Sequence, residues 1–383
     1  MIKNKPWMYW VIFVSTMVVV FLLGLLAASI MERRAEALVA YSPEIPIKDF
    51  EPRNEVWGKN FPREYDAYLK MSQTNFKSKY NGSILRDALK EDPYLIILWA
   101  GYGFSKDYNQ PRGHFYAVTD IRATLRTGGP KGKKDGPMPN TCWTCKSPDV
   151  PRVMNKVGIS NFYKGEWASR GHQIVNPIGC ADCHDPKTQD LRITRPALKE
   201  AFQRMGKDIE KVTHQEKRSL VCAQCHVEYY FKGKGKYLTF PWDKGMNVED
   251  IEKYYDEINF SDWTHKLSKT PMIKAQHPGY ELWKHGIHAK RGVSCADCHM
   301  PYVSEGGVKF TDHHVQSPLN NINRSCQVCH RETEEELIQN VYSKQEKVHQ
   351  LRIKVEKFLV KAHIEAKTAW DTGATKKEMA PIL

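Results

Sequence analysis

Five short stretches decide how this 383-residue chain folds: Cys142-Trp143-Thr144-Cys145-Lys146, Cys180-Ala181-Asp182-Cys183-His184, Cys222-Ala223-Gln224-Cys225-His226, Cys295-Ala296-Asp297-Cys298-His299 and Cys326-Gln327-Val328-Cys329-His330. All ten cysteines fall inside them, in five pairs, which leaves none for a structural disulfide or a lone thiol nucleophile. Four stretches read Cys-x-x-Cys-His, the spacing of covalent c-type haem attachment. Two thiols bond the vinyl groups of a porphyrin, and the next residue, histidine, ligates the iron from the proximal side. Zinc could use the cysteine pairs but has no need of a histidine directly after each one. A redox-active dithiol would not be repeated along one exported chain.

The first stretch places Lys146 where the other four carry histidine. Beside four haem motifs it reads as a fifth haem whose proximal ligand is the Lys146 amine. That amine must lose its proton to bind iron. Five irons offer ten axial positions, of which the motifs fill five. Histidines opposite the four ordinary haems would leave one position open, on the lysine-ligated iron. An open position is what a metal needs to bind a substrate. Of the 15 histidines, four lie in the motifs, so 11 remain, and spacing alone does not say which of them ligate.

Composition narrows the class. Hydrophobic residues make up 41% and charged residues 26%, which excludes a disordered chain, a collagen and a polytopic membrane protein. The formal charge of +13 would ordinarily suggest a nucleic acid or an anionic surface. Ten haem propionates would offset much of it, and no basic run with interleaved aromatics supports nucleic acid as a partner. A basic surface would also steer an anionic substrate.

Four segments follow from the patterning. Within residues 1–40, Trp10 to Ile30 is an uncharged run of 21 residues, long enough to span a bilayer and also readable as a signal-peptide core. Either reading puts the rest of the chain outside the cytoplasm, and an uncleaved anchor is the reading adopted. Residues 41–74, with Pro43, Pro46, Pro52 and Pro62, read as an extended lead-in. Residues 75–330 hold every motif among glycine and proline punctuation, as expected of a chain whose core is filled by haem. Residues 331–383 carry a long helix: Val341, Val348, Val355 and Ala362 recur every seven residues, with Leu337, Leu351 and Phe358 as companions. Such a seam suits either a second subunit or the helix's own domain. The expected fold is mainly α: a multihaem cytochrome c fold with a haem-packed core, little β-structure and a long C-terminal helix.

One Cys-x-x-Cys-Lys followed by four Cys-x-x-Cys-His resembles the pentahaem, ammonia-forming cytochrome c nitrite reductases. The resemblance extends from about residue 60 to the end of the chain. It includes Gly113-His114-Phe115-Tyr116-Ala117-Val118, Leu125-Arg126-Thr127-Gly128, Cys142 to Asp149, Cys222 to Tyr229, and Lys274-Ala275-Gln276-His277-Pro278. It implies six-electron reduction of nitrite to ammonium, with five covalently attached haems and one calcium ion. The family's pocket residues fall on Arg126, Tyr229 and His277, beside Lys146. Its calcium ligands fall on the Glu228 and Gln276 side chains and the Tyr229 and Lys274 carbonyls, hard oxygen donors of the kind calcium takes. Its distal histidines fall on His313 for the second haem, His114 for the third and His288 for the fifth. The resemblance further implies a periplasmic homodimer, fed by a membrane-anchored quinol-oxidising multihaem cytochrome. Family members continue into another helical segment that carries the fourth haem's distal histidine, and no stretch here matches it. His349 and His363 lie on the helix before that point, and the chain reads as C-terminally shortened. Two rival readings are a purely electron-carrying multihaem cytochrome and a multihaem reductase of another nitrogen or sulfur oxyanion. A carrier would gain nothing from an open iron, and a haem count of five argues against the larger relatives.

Overall fold

The computed structural model describes residues 5–39, 44–75, 77–80, 82–127 and 138–382, the side chains of 35–39 excepted. Gly128 of the quoted Leu125–Gly128 stretch lies outside the described residues, as do 1–4 and 40 of the expected anchor and 41–43 of the lead-in. The chain forms two units, Met1–Pro46 with Ser304–Val308, and Ile47–Val303 with Lys309–Leu383.

In the first unit a single helix runs Pro6–Val39, longer than the apolar run that predicts it. Its segment Pro6–Arg34 has a mean hydropathy of 2.8 and is long and apolar enough to cross a membrane. Its apolar side chains are exposed all round, as a lipid-facing helix requires.

The second unit is built from short helices and turns, and every sheet among the described residues has two strands. Tyr230–Lys232 pairs with Tyr237–Thr239, and Trp263–Thr264 pairs with Pro271–Met272, both antiparallel. The main apolar cluster gathers Trp143, Phe162, Trp167, Leu198, Leu220, Phe240 and Trp242, all fully buried. Trp143 stacks on Trp167 at 3.3 Å and donates its indole N–H to the Trp167 carbonyl at 3.0 Å. This fixes the 3-10 turn Asn140–Cys145, which carries the lysine motif.

The lead-in departs from expectation. It is helical over Asn54–Asn60 and Pro62–Leu69, because Pro62 opens a helix, where its missing N–H costs nothing. It also packs inward: Trp57 is buried against Ala181, and Asn54 Oδ1 accepts the Cys180 N–H at 3.0 Å. The lead-in therefore frames the second motif.

The long helix spans Glu334–Asp371 and opens on a capping box between Thr333 and Glu336. Its own domain holds Leu337, Glu356, Val360, His363 and Ala366, all buried. The heptad seam begins against the domain at Leu337 and from Val348 onward is exposed, with Val348, Leu351, Val355 and Phe358 exposed by 66%, 55%, 54% and 64%.

Candidate active site and haem ligands

Two imidazoles bonded to one metal from opposite sides, each at about 2.0 Å, place their ring centres roughly 6 Å apart. Four histidine pairs among the described residues have that separation, and three of them are His184 with His313 at 6.1 Å, His114 with His226 at 6.2 Å, and His288 with His330 at 6.2 Å. They join the second, third and fifth motifs to the three histidines expected opposite them. Gly113, at φ 114°, takes the left-handed turn that only glycine adopts freely and sets His114 at the head of the next turn.

The outer nitrogens support this arrangement. Nδ1 of His184 donates to the Gln189 carbonyl, that of His299 to Gln316 and that of His313 to Thr311, each at 2.8 Å. A proton fixed on Nδ1 leaves the Nε2 lone pair for a metal. The residues present fit five attached haems, four of them with histidine beneath the ring. His299 of the fourth motif meets no opposing histidine ring among the described residues. His349 packs on Tyr80 at 5.2 Å, and His363 stacks on His265 at 3.8 Å with Nδ1 bonded to Ser268 Oγ at 2.9 Å.

The motifs are neighbours in space. The Cys145 thiol lies beside Cys225, and Cys222 beside Cys295. Ser325, just before Cys326, donates its hydroxyl to the Cys298 carbonyl at 2.8 Å. Cys183 lies near Cys222 as a side branch. The resulting order runs from the lysine motif through the third, fourth and fifth.

Around the lysine motif sit the expected pocket residues. Arg126 is 7% exposed, donates Nη1–H to the Asp107 carbonyl at 3.1 Å and lies over the Phe104 ring at 4.3 Å. Tyr229 meets His277 edge-on at 5.5 Å and stacks on Phe231. Burial pushes the Tyr229 phenol well above its usual pKa, so it stays a hydroxyl donor. Burial, with the Lys146, His226 and Lys274 charges, lowers His277 to about 3 and keeps its ring neutral. His277 also lies 6.2 Å from His226, the same separation as the ligating pairs. Its protonation sets it apart, because Nδ1 accepts the Val227 N–H at 3.4 Å. The proton of the neutral ring is then on Nε2, making His277 a donor rather than a ligand. A cavity of about 140 Å³ is lined by Tyr102, Met138, Phe231, Lys236 and Asp262 and by none of Lys146, Arg126, Tyr229 and His277.

The expected calcium ligands are also adjacent. Glu228 Oε2 accepts the Gln276 N–H at 2.6 Å and its Oε1 accepts the Tyr255 hydroxyl at 3.0 Å. Burial pushes this carboxyl up to about 7. Gln276 Oε1 is held by the Lys274 ammonium at 2.9 Å. A buried carboxylate beside an amide oxygen fits a hard cation.

Two residues were not expected. Arg195, fully buried, donates Nε–H to the Thr144 carbonyl at 2.7 Å and Nη2–H to the Ser147 carbonyl at 2.9 Å, bracketing Cys145 and Lys146. The same guanidinium meets Asp182, inside the second motif, at 2.5 Å. Glu281, also buried, accepts the Glu228 N–H at 3.0 Å and the Trp242 indole N–H at 2.7 Å. Neither has a local sequence signal, since Thr144, Ser147 and Asp182 for Arg195, and Glu228 and Trp242 for Glu281, are distant in the chain.

A chain with these motifs and opposed histidine pairs is a multihaem c-type cytochrome. Residues 53–383 match the family model described as cytochrome c552. A cytochrome c-552 of Bacteroides thetaiotaomicron is 61% identical over 382 residues, covering 100% of this chain and 78% of that protein. One from Desulfotalea psychrophila is 49% identical over 387 residues, covering 98% and 75%. The solved cytochrome c nitrite reductase of Desulfovibrio desulfuricans, whose description notes two calcium sites in its catalytic subunit, superposes with a TM-score of 0.80. It is 37% identical, with 85% of this chain and 74% of that one covered. The chain belongs to the cytochrome c552 family of ammonia-forming cytochrome c nitrite reductases.

Proposed function

We propose that nitrite is reduced to ammonium in the pocket formed by Lys146, Arg126, Tyr229 and His277. The balanced reaction takes one nitrite, eight protons and six electrons to one ammonium and two waters. When bound, the haem attached through Cys142 and Cys145 supplies an iron with one open position and the electrons for the reduction. Arg126 offers the nitrite oxygens those N–H groups that Asp107 does not use, and its charge offsets that of the anion. His277 presents an Nε2–H to the opposite side of the substrate and passes protons as N–O bonds break. Tyr229, held as a hydroxyl, orients the partly reduced nitrogen species. The Glu228 and Gln276 side chains and the Tyr229 and Lys274 carbonyls would hold a calcium ion, and Glu228 already ties the two segments that carry Tyr229 and His277 through the Gln276 N–H.

Residues 75–330 would then be the catalytic domain and 331–383 the dimerisation element, joined through the exposed seam. Electrons from a membrane-anchored quinol-oxidising cytochrome pass along the motif chain, and the N-terminal helix keeps the enzyme on the periplasmic face of the inner membrane. What supports the reading is the edge-on contact of Tyr229 with His277 at 5.5 Å, with the Lys146 charge acting on His277 and the Arg126 charge on Cys142. An ammonium assay with nitrite and reduced viologen, on protein of confirmed haem content, tests it. Loss of ammonium formation in Arg126→Ala and His277→Ala, with all haems retained, is the expected result. Full activity in both would move the site elsewhere.

A further inference from the structure

The Phe104 ring sits at the meeting point of two buried cations. The Arg126 guanidinium carbon lies 4.3 Å from its centroid and the Lys274 ammonium 5.1 Å from it. Three further rings fix Phe104 itself: Tyr102 stacked at 5.5 Å, Tyr108 edge-on at 5.0 Å and Trp99 tilted at 5.6 Å. Tyr102 in turn stacks on Trp263 at 4.6 Å. The segment 99–108 is thus a rigid aromatic platform rather than a loop following Arg126.

This platform answers a physical problem. A guanidinium that is 7% exposed has lost most of its water, and the only hydrogen bond that the described structure gives it is to the Asp107 carbonyl. A carboxylate partner would fix it but would also cancel the charge needed for an anion. An aromatic face attracts the cation without neutralising it and leaves the in-plane N–H groups free. Asp107 serves the same end: its Oδ2 accepts the Leu125 N–H at 2.8 Å while its carbonyl takes Arg126, so one residue holds both the loop and the side chain.

We infer that Phe104 is a positioning residue, which holds the Arg126 guanidinium flat on its ring so that the free N–H edge faces the nitrite site. This rests on the reading of Arg126 as the nitrite donor. The substrate class it selects is a small planar anion with two oxygens on one edge, because the donors lie in one fixed plane.

The test uses the holoprotein with all haems attached, comparing parent, Phe104→Leu, Phe104→Tyr and Arg126→Ala. Nitrite affinity is read from the haem absorption change on titrating the oxidised protein with sodium nitrite, and KM and kcat come from turnover with reduced viologen. Phe104→Leu should weaken nitrite binding about tenfold, equivalent to about 1.4 kcal/mol. KM should rise by a similar factor, with kcat within about threefold of the parent. Phe104→Tyr, which keeps the ring face, should stay within twofold of the parent. Arg126→Ala should weaken binding more than Phe104→Leu. If Arg126→Ala weakens binding and Phe104→Leu does not, the positioning role is wrong while the pocket stands. If Phe104→Tyr fails as badly as Phe104→Leu, the ring is ordinary packing and the inference falls. If Arg126→Ala binds nitrite like the parent, the pocket reading falls and the inference with it.

Discussion

Replacing Arg195 by Leu removes a group that joins the lysine motif to the second motif. The guanidinium meets the Asp182 carboxylate at 2.5 Å and both side chains are nearly inaccessible, at 1% and 5%. Breaking such a pair by deleting one partner leaves a buried charge and costs about 3–5 kcal/mol. The carbonyls of Thr144 and Ser147 lose their donor at the same time. For a chain of this length that loss lowers the unfolding midpoint by about 4–6 °C. A double-mutant cycle isolates the pair. Arg195→Leu and Asp182→Asn should each destabilise strongly, and the double variant should lose less than their sum by about 2 kcal/mol. Asp182 retains the Gly179 N–H at 2.9 Å, so Asn at this position keeps a partner for one oxygen. Melting followed by circular dichroism gives the energies. The spectrum of the lysine-ligated haem gives the local effect, since the peptide units on either side of Cys145 and Lys146 are set free. Additive single variants, each within about 0.5 kcal/mol of the parent, would refute the reasoning.

Three further predictions follow from particular contacts. His313→Ala, which leaves His184 without the ring 6.1 Å away, should convert one low-spin haem to a five-coordinate or water-ligated form, visible by electron paramagnetic resonance; an unchanged low-spin count would contradict that pairing. Phe358→Glu, at a side chain 64% exposed on the heptad seam, should leave the fold intact and shift a dimer toward monomer in sedimentation; an unaltered dimer would place the interface elsewhere. Glu228→Gln should weaken calcium retention at least tenfold and slow turnover, restored in part by excess calcium, and metal analysis showing full calcium in the variant would remove Glu228 from the site.

How much of this was legible depends on the range of each interaction. Haem attachment is local chemistry, so the five motifs announce themselves and Lys146 stands out at once. The opposing histidines pair across long stretches of chain, His114 with His226 and His184 with His313, and only the family resemblance picked them from the rest. Their ring separations and Nδ1 partners then follow from the fold. Heptad spacing exposed the seam of the long helix but not its direction, because periodicity carries no information about which face the domain covers. Prolines in the lead-in point to extended chain, whereas Pro62 begins a helix and Trp57 is buried, because a proline at a helix's first position breaks nothing. Arg195 and Phe104 were invisible: each acts through partners brought together only by folding.

The most direct measurement is the electron balance of nitrite reduction by the purified holoprotein, made alongside Lys146→His. The thiol spacing is untouched in that variant, so both proteins should carry five haems by mass. The parent should form one ammonium for every six equivalents of reduced viologen consumed, with no nitric oxide released. Lys146→His should lose most of that turnover, because the donor opposite the substrate has changed. A parent that consumes no electrons with nitrite, or a variant that retains full activity, would contradict the assignment of the lysine-ligated iron as the catalytic centre.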